Sequence, residues 1–125
     1  MMTQTPTASS FCHLSIPAPD LGKAKAFYES VFGWTIQISP AAPNYWFFES
    51  GNVSGAFDAS TTPAPKGVGI VPMLQVADLD ATLDLITAHG GTITQGRSKI
   101  GDASPGDDAY FLDPNGNAMG IYFDR

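Results

Sequence analysis

Cysteine is nearly absent from this chain: Cys12 is the only one among 125 residues. An intrachain disulfide and a cysteine-built zinc site are therefore both excluded. Basic residues are scarce as well. Six Lys and Arg stand against twelve Asp and Glu, a formal charge of −6, which argues against electrostatic binding to nucleic acid or to an anionic membrane. No apolar run approaches the roughly 20 residues of a spanning helix. Residues 1–10 are polar and rich in Thr and Ser, without the apolar centre of a signal peptide, and read as a disordered leader. These absences together point to a cytoplasmic protein with no membrane partner. What is present is a globular composition: 43% hydrophobic and only 14% charged, which leaves a fairly apolar surface and favours self-association. A chain of this length forms one domain and buries roughly two thirds of its unfolded surface.

That domain is written twice. Asp20-Leu21, Phe27 and Gly33 recur as Asp78-Leu79, Leu85 and Gly91, each 58 positions further on. In the first copy, residues 11–16 alternate, with Cys12, Leu14 and Ile16 on a core face and Phe11, His13 and Ser15 opposite, which predicts a strand and a buried, inert thiol. Asp20 caps a helix carrying Leu21, Ala24, Phe27, Tyr28 and Val31 at helical spacing, stopped at Gly33. Strand character returns at 34–38, and 44–49 with 53–57 form a hairpin. The second copy repeats the order: a strand at 68–76, interrupted awkwardly by Pro72, a helix from Asp78 to Gly90-Gly91, then strands at 92–95, 109–112 and 117–123. Asp113-Pro114-Asn115-Gly116 is a turn with Pro and Gly where turn geometry wants them. Arg97, Lys99, Asp102, Asp107 and Asp108 fall in a solvated loop.

The fold class is therefore α+β: two paired βαβββ modules, 11–57 and 68–125, joined by a Pro- and Thr-rich linker at 58–67, as one domain over 11–125. The closing hairpins align at an offset of 65, which matches Gly51-Asn52 with Gly116-Asn117, Gly55 with Gly120 and Phe57 with Tyr122.

The run from Phe11 through His13 to Asp20, the run Ala26-Phe27-Tyr28 through Gly33-Trp34, and the run Phe111-Leu112-Asp113-Pro114-Asn115-Gly116 through Gly120 to Tyr122 carry a resemblance. Taken in that order they resemble the glyoxalase/bleomycin-resistance/dioxygenase family, the vicinal oxygen chelate superfamily, and in particular its lactoylglutathione-lyase-related bacterial proteins. The resemblance spans about residues 11–123. It implies paired modules that curl into a cup-shaped mixed sheet, with four inward positions that hold a divalent ion in the metal-dependent members. His13 matches the first position and Val71 its repeat. Gly120 lies seven residues after Asp113, and Gly55 is its partner in the hairpin alignment. One donor in four implies no metal and no other cofactor, and no metal-dependent glyoxalase or dioxygenase activity.

Strand alternation then predicts a lining of His13, Ser15, Gly55, Met73, Gln75, Gly120 and Tyr122, with Trp46 from the aromatic run as a stacking wall. Such a cup takes a small-molecule ligand, and open sheet edges favour a homodimer. Three functions stay open. One is a metal-independent lyase or isomerase of unknown substrate, with His13 as its acid or base. Another is an antibiotic-binding protein like the bleomycin-resistance branch. The third is an interaction domain whose cup is filled by its own side chains.

Overall fold

A computed structural model describes residues 8–102 and 104–124. The elements are β1 (His13–Pro17), α1 (Leu21–Phe32), β2 (Tyr45–Ser50), β3 (Val53–Asp58), β4 (Met73–Gln75), α2 (Leu79–Ala88), β5 (Thr92–Lys99), β6 (Asp107–Leu112) and β7 (Ala118–Phe123). Most of the expected leader, residues 1–7, lies outside the described residues.

Two sheets form, ordered β1-β3-β2 and β4-β7-β6-β5. In each, the first strand runs parallel to the last and the remaining pairs are antiparallel. Both helices begin as their sequences dictate: the Asp20 and Asp78 carboxylates accept from the amides of Lys23 and Ala81, each at 3.0 Å. Gly33, at φ 70°, closes α1 in the left-handed region that glycine enters without strain. One core serves both modules. Phe27 of α1 meets Phe111 of β6 at 5.9 Å between ring centroids, while Tyr28 meets Phe57 of β3 at 4.9 Å. Ile16, Phe48, Ile86, Ala109, Met119 and Ile121 complete the layer.

Several local expectations are corrected. The strand expected at 34–38 is reduced to a single bridge, Gln37 to Phe47, and the Ile36 amide beside it donates to the Glu29 side chain. The strand expected from residue 68 begins only at Met73, after Pro72, which has no amide hydrogen to give. Cys12 is exposed, since regular pairing starts one residue after it. Arg97 is not a solvated loop residue. It lies in β5, and its guanidinium bridges Asp80 at 2.9 Å and the buried Asp107 at 2.8 Å while resting over the Phe123 ring. Asp107 and Asp108 open strand β6.

The Asp113 turn does more than reverse the chain. The Asp113 carboxylate, 4% exposed, accepts from the amides of Asn115 and Asn117, the Asn117 side chain and the Tyr28 hydroxyl. Asn117 Nδ2 also donates to the Pro17 carbonyl, and Asn115 exchanges two hydrogen bonds with the Asp20 backbone. Module two thereby clasps the end of β1 and the start of α1.

Candidate functional site

The register between strands decides which side chains share a face. Ser15 pairs with Ala56, and Met73 pairs with Gly120. Ser15 and Met73 are 58 apart, so Ala56, not Gly55, is the repeat partner of Gly120, at an offset of 64. The offset of 65 arose from matching turn glycines. The strands of module one are joined through Gly51-Asn52, whereas module two spends one residue more, Pro114 to Gly116, between the paired Asp113 and Asn117. A slip of one residue turns every side chain to the other face.

With that correction, Leu14, Trp46, Phe48, Gly55 and Phe57 face the helix side of sheet one. Trp46 packs against the core, and its indole nitrogen donates to the Pro43 carbonyl at 3.0 Å. Gly55 carries the Phe48 ring where its own Cβ would be. Gly55 is thus not on the open face that alternation predicts for it, Trp46 is not the stacking wall expected of it there, and Phe57 is wholly buried. His13, Ser15, Tyr45, Phe47, Ser54 and Ala56 share the open face instead. On sheet two, Met73, Gln75, Gly120 and Tyr122 do share one face with Tyr110. There the Met73 thioether covers Gly120, and the Tyr110 hydroxyl donates to Asp108 at 3.2 Å. Partial burial, and then the Asp108 charge, push the Tyr110 phenol above its ordinary range.

One contact on the open face escaped the sequence. His13 Nε2 lies 2.6 Å from the Tyr45 hydroxyl, and the two rings stack at 15° with centroids 6.0 Å apart. His13 sits on β1 and Tyr45 on β2. They meet across the middle strand, where their register partners Ser54 and Asp58 flank the fully buried Ala56. An alanine at the centre leaves the space in which two larger rings converge. One strand in the sheet and 32 residues in the chain separate the pair, so only the sheet order, not any spacing, would have revealed it.

His13 also belongs to a cleft of about 380 Å³ between the edges of β1 and β4. Leu14, Trp34, Phe48, Met73 and Met119 are among its apolar walls, and His13 is the one titratable side chain lining it among the described residues. Ser15 and Ala118 line an adjoining cleft of about 260 Å³. A larger cavity, about 620 Å³, lies off the His13 cleft beyond the Trp34–Phe48 stack, with Phe32, Phe47 and Glu49 among its walls. The His13 cleft, about 380 Å³, and this cavity are each adequate for a small molecule.

The four positions that the fold relates to one another therefore hold His13, Ala56, Val71 and Gly120. Among the described residues, no three His, Cys, Asp or Glu side chains are grouped as an ion would require.

The model of the Glyoxalase/Bleomycin resistance protein/Dioxygenase superfamily matches residues 10–121. The chain belongs to that superfamily. A solved superfamily enzyme from Burkholderia phytofirmans PsJN superposes with a TM-score of 0.76 at 18% identity, covering 94% of this chain and 100% of that one. A lactoylglutathione lyase from Agrobacterium tumefaciens gives 0.67 at 20% identity, covering 94% and 96%. These show the shared fold. Among curated proteins, "Putative glyoxylase CFP32" of Mycobacterium bovis is 30% identical over 115 residues, 87% of this chain but 43% of that protein. The chain thus spans less than half the length of that superfamily relative. A "Glyoxylase-like domain-containing protein" of Didymella fabae is 29% identical over 115 residues, 86% of this chain and 88% of that one. No helix among the described residues is long and apolar enough to cross a membrane.

Proposed function

We propose that this chain is a metal-independent superfamily enzyme of the lyase or isomerase type. It moves a proton on a small oxygenated or thiol-conjugated metabolite held between β1 and β4, with His13 as the acid or base. The observation that carries this reading is that, among the described residues, His13 is the one acid–base side chain on the cleft's walls. A positioned imidazole accelerates such a step by roughly 10²- to 10⁴-fold. A divalent ion does not fit the residues present. Ala56, Val71 and Gly120 offer no donor, and the Tyr45 hydroxyl already engages His13 Nε2.

The test is proton exchange in D2O, followed by NMR on glutathione hemithioacetals and α-hydroxycarbonyl compounds. Exchange is expected with and without a chelator, and it should fall roughly 100-fold in His13→Ala. Exchange that requires added nickel or zinc removes the metal-independent reading. Exchange untouched by His13→Ala removes His13 from the chemistry.

The larger cavity favours a second reading, a protein that sequesters a planar, drug-like molecule without transforming it. Its Trp34 and Phe48 rings, stacked at 4.5 Å, form an aromatic wall suited to such a ligand. An antibiotic that raises the melting temperature equally in wild type and in His13→Ala would select this reading.

A homodimer accompanies either reading. Phe11 and Ile70, both 90% exposed, rim the His13 cleft, and among the described residues β1 and β4 leave their outer edges unpaired. A reducing cytoplasm suits the exposed thiol of Cys12.

A further inference from the structure

We infer that Tyr45 is a positioning residue that holds neutral His13 as the Nδ1–H tautomer, so that the cleft offers its ligand a hydrogen-bond donor. The argument begins with the short contact between His13 Nε2 and the Tyr45 hydroxyl, 2.6 Å. One hydrogen lies between these two atoms. A phenol is the stronger acid and a neutral imidazole nitrogen the stronger base, so the phenol donates and Nε2 accepts. The hydroxyl has no other acceptor among the described residues, and donation to Nε2 is what satisfies it. The single imidazole hydrogen then resides on Nδ1.

The fold holds this arrangement from both sides. His13 and Tyr45 sit on the outer strands of a three-stranded sheet, in a register set by β3. Ala56 between them is too small to part the rings. Phe47 packs edge-on against Tyr45, with centroids 5.1 Å apart at 84°, and limits where the phenol can swing. Nδ1 has no partner among the described residues, whereas His13 lines the cleft. The free donor is the group we assign to a cleft ligand. Its complement is an acceptor such as a carbonyl or hydroxyl oxygen, on a body that suits the apolar walls of Leu14, Trp34, Phe48 and Met119. This ligand clause rests on the cleft being the working site, as proposed above. The tautomer clause does not.

Nitrogen-15 NMR of the imidazoles separates the two clauses. At about pH 8.5, where a free imidazole is neutral, wild-type His13 should show Nδ1 protonated and Nε2 bare. His89, the second histidine, at the C-cap of α2, serves as the internal reference. Tyr45→Phe keeps a ring of the same shape and should return His13 to the Nε2–H form. A wild-type spectrum with Nε2 protonated overturns the inference without any variant, as does an unchanged tautomer in Tyr45→Phe. For the ligand clause, 4-phenyl-2-butanone is compared with butylbenzene, which has the same aromatic body and no oxygen. The ketone should shift the His13 Nδ1 resonance and the hydrocarbon should not. Equal responses, or none, remove the ligand clause while the tautomer result stands or falls on its own.

Discussion

Asp113→Ala is expected to lower the unfolding free energy by about 4 kcal/mol, the scale of breaking a buried charged network by removing one partner. The carboxylate accepts four hydrogen bonds: from Asn115 N at 3.0 Å, Asn117 N at 2.9 Å, Asn117 Nδ2 at 2.9 Å and Tyr28 Oη at 2.8 Å. Alanine strands the Tyr28 hydroxyl inside the core and frees the turn that grips Pro17 and Asp20. Urea denaturation measures the loss, and a change below about 1 kcal/mol would show that the clasp is dispensable. Tyr28→Phe removes one donor only and should cost about 1 kcal/mol.

The two groups of the clasp also give the pH dependence a definite sign. Burial raises the Asp113 carboxyl above its ordinary range, and the hydrogen bonds from Asn117, Tyr28 and Asn115 only partly oppose it. A carboxyl raised in the folded state contributes stability that is fully present below the unfolded value near 3.9 and is lost as pH rises through the folded one. Asp113 therefore works against the usual acid lability of carboxylates. Burial first, and then the neighbouring Asp113 charge, hold the Tyr28 phenol well above 10.0. Its contribution is complete below about pH 10 and is lost at higher pH, as the unfolded phenol ionises and the folded one does not. Tyr28→Phe should flatten that alkaline decline in a series of urea titrations at increasing pH.

What was legible in the chain follows the range over which each signal acts. Asp20, Gly33, Asp78 and Gly90 mark helix ends because caps work through hydrogen bonds three or four residues away. The doubled module was legible because a repeat compares the chain with itself. Arg97 was not, because its partners Asp80 and Asp107 come from a helix and a strand on either side of it. His13 stands out in the chain as a lone imidazole near apolar neighbours, but nothing local marks Tyr45 as its partner. Alternation along β2 says that Tyr45 and Phe47 face away from Trp46 and Phe48. It does not say which pair faces the core. The core-facing pair is Trp46 and Phe48, because Phe48 stacks on Trp34 and meets Phe57 at 5.0 Å.

Gly55→Ala should destabilise the protein by roughly 3 kcal/mol, at the upper end of overpacking costs, while Gly120→Ala should change stability by less than about 1 kcal/mol. The sequence presents these two glycines as equivalents in matching strands, and on propensity alone alanine would improve both by about 0.5–1 kcal/mol. The register separates them. A methyl on Gly55 would overlap the Leu14 carbonyl oxygen and the Phe48 ring. The carbonyl belongs to the adjacent strand and cannot move without breaking the parallel pairing of β1 and β3, and Phe48 is pinned beneath Trp34. A methyl on Gly120 would meet chiefly the end of the Met73 side chain, which is flexible and 42% exposed and so can swing aside. Neither glycine has a positive φ, so backbone strain plays no part and the contrast isolates close approach. Equal losses in the two variants would mean that Gly55 and Gly120 do occupy equivalent places, and would return Gly55 to the open face beside His13. A large loss at Gly55 alone fixes Ala56 as the partner of Gly120, and with it the surface on which His13 and Tyr45 meet.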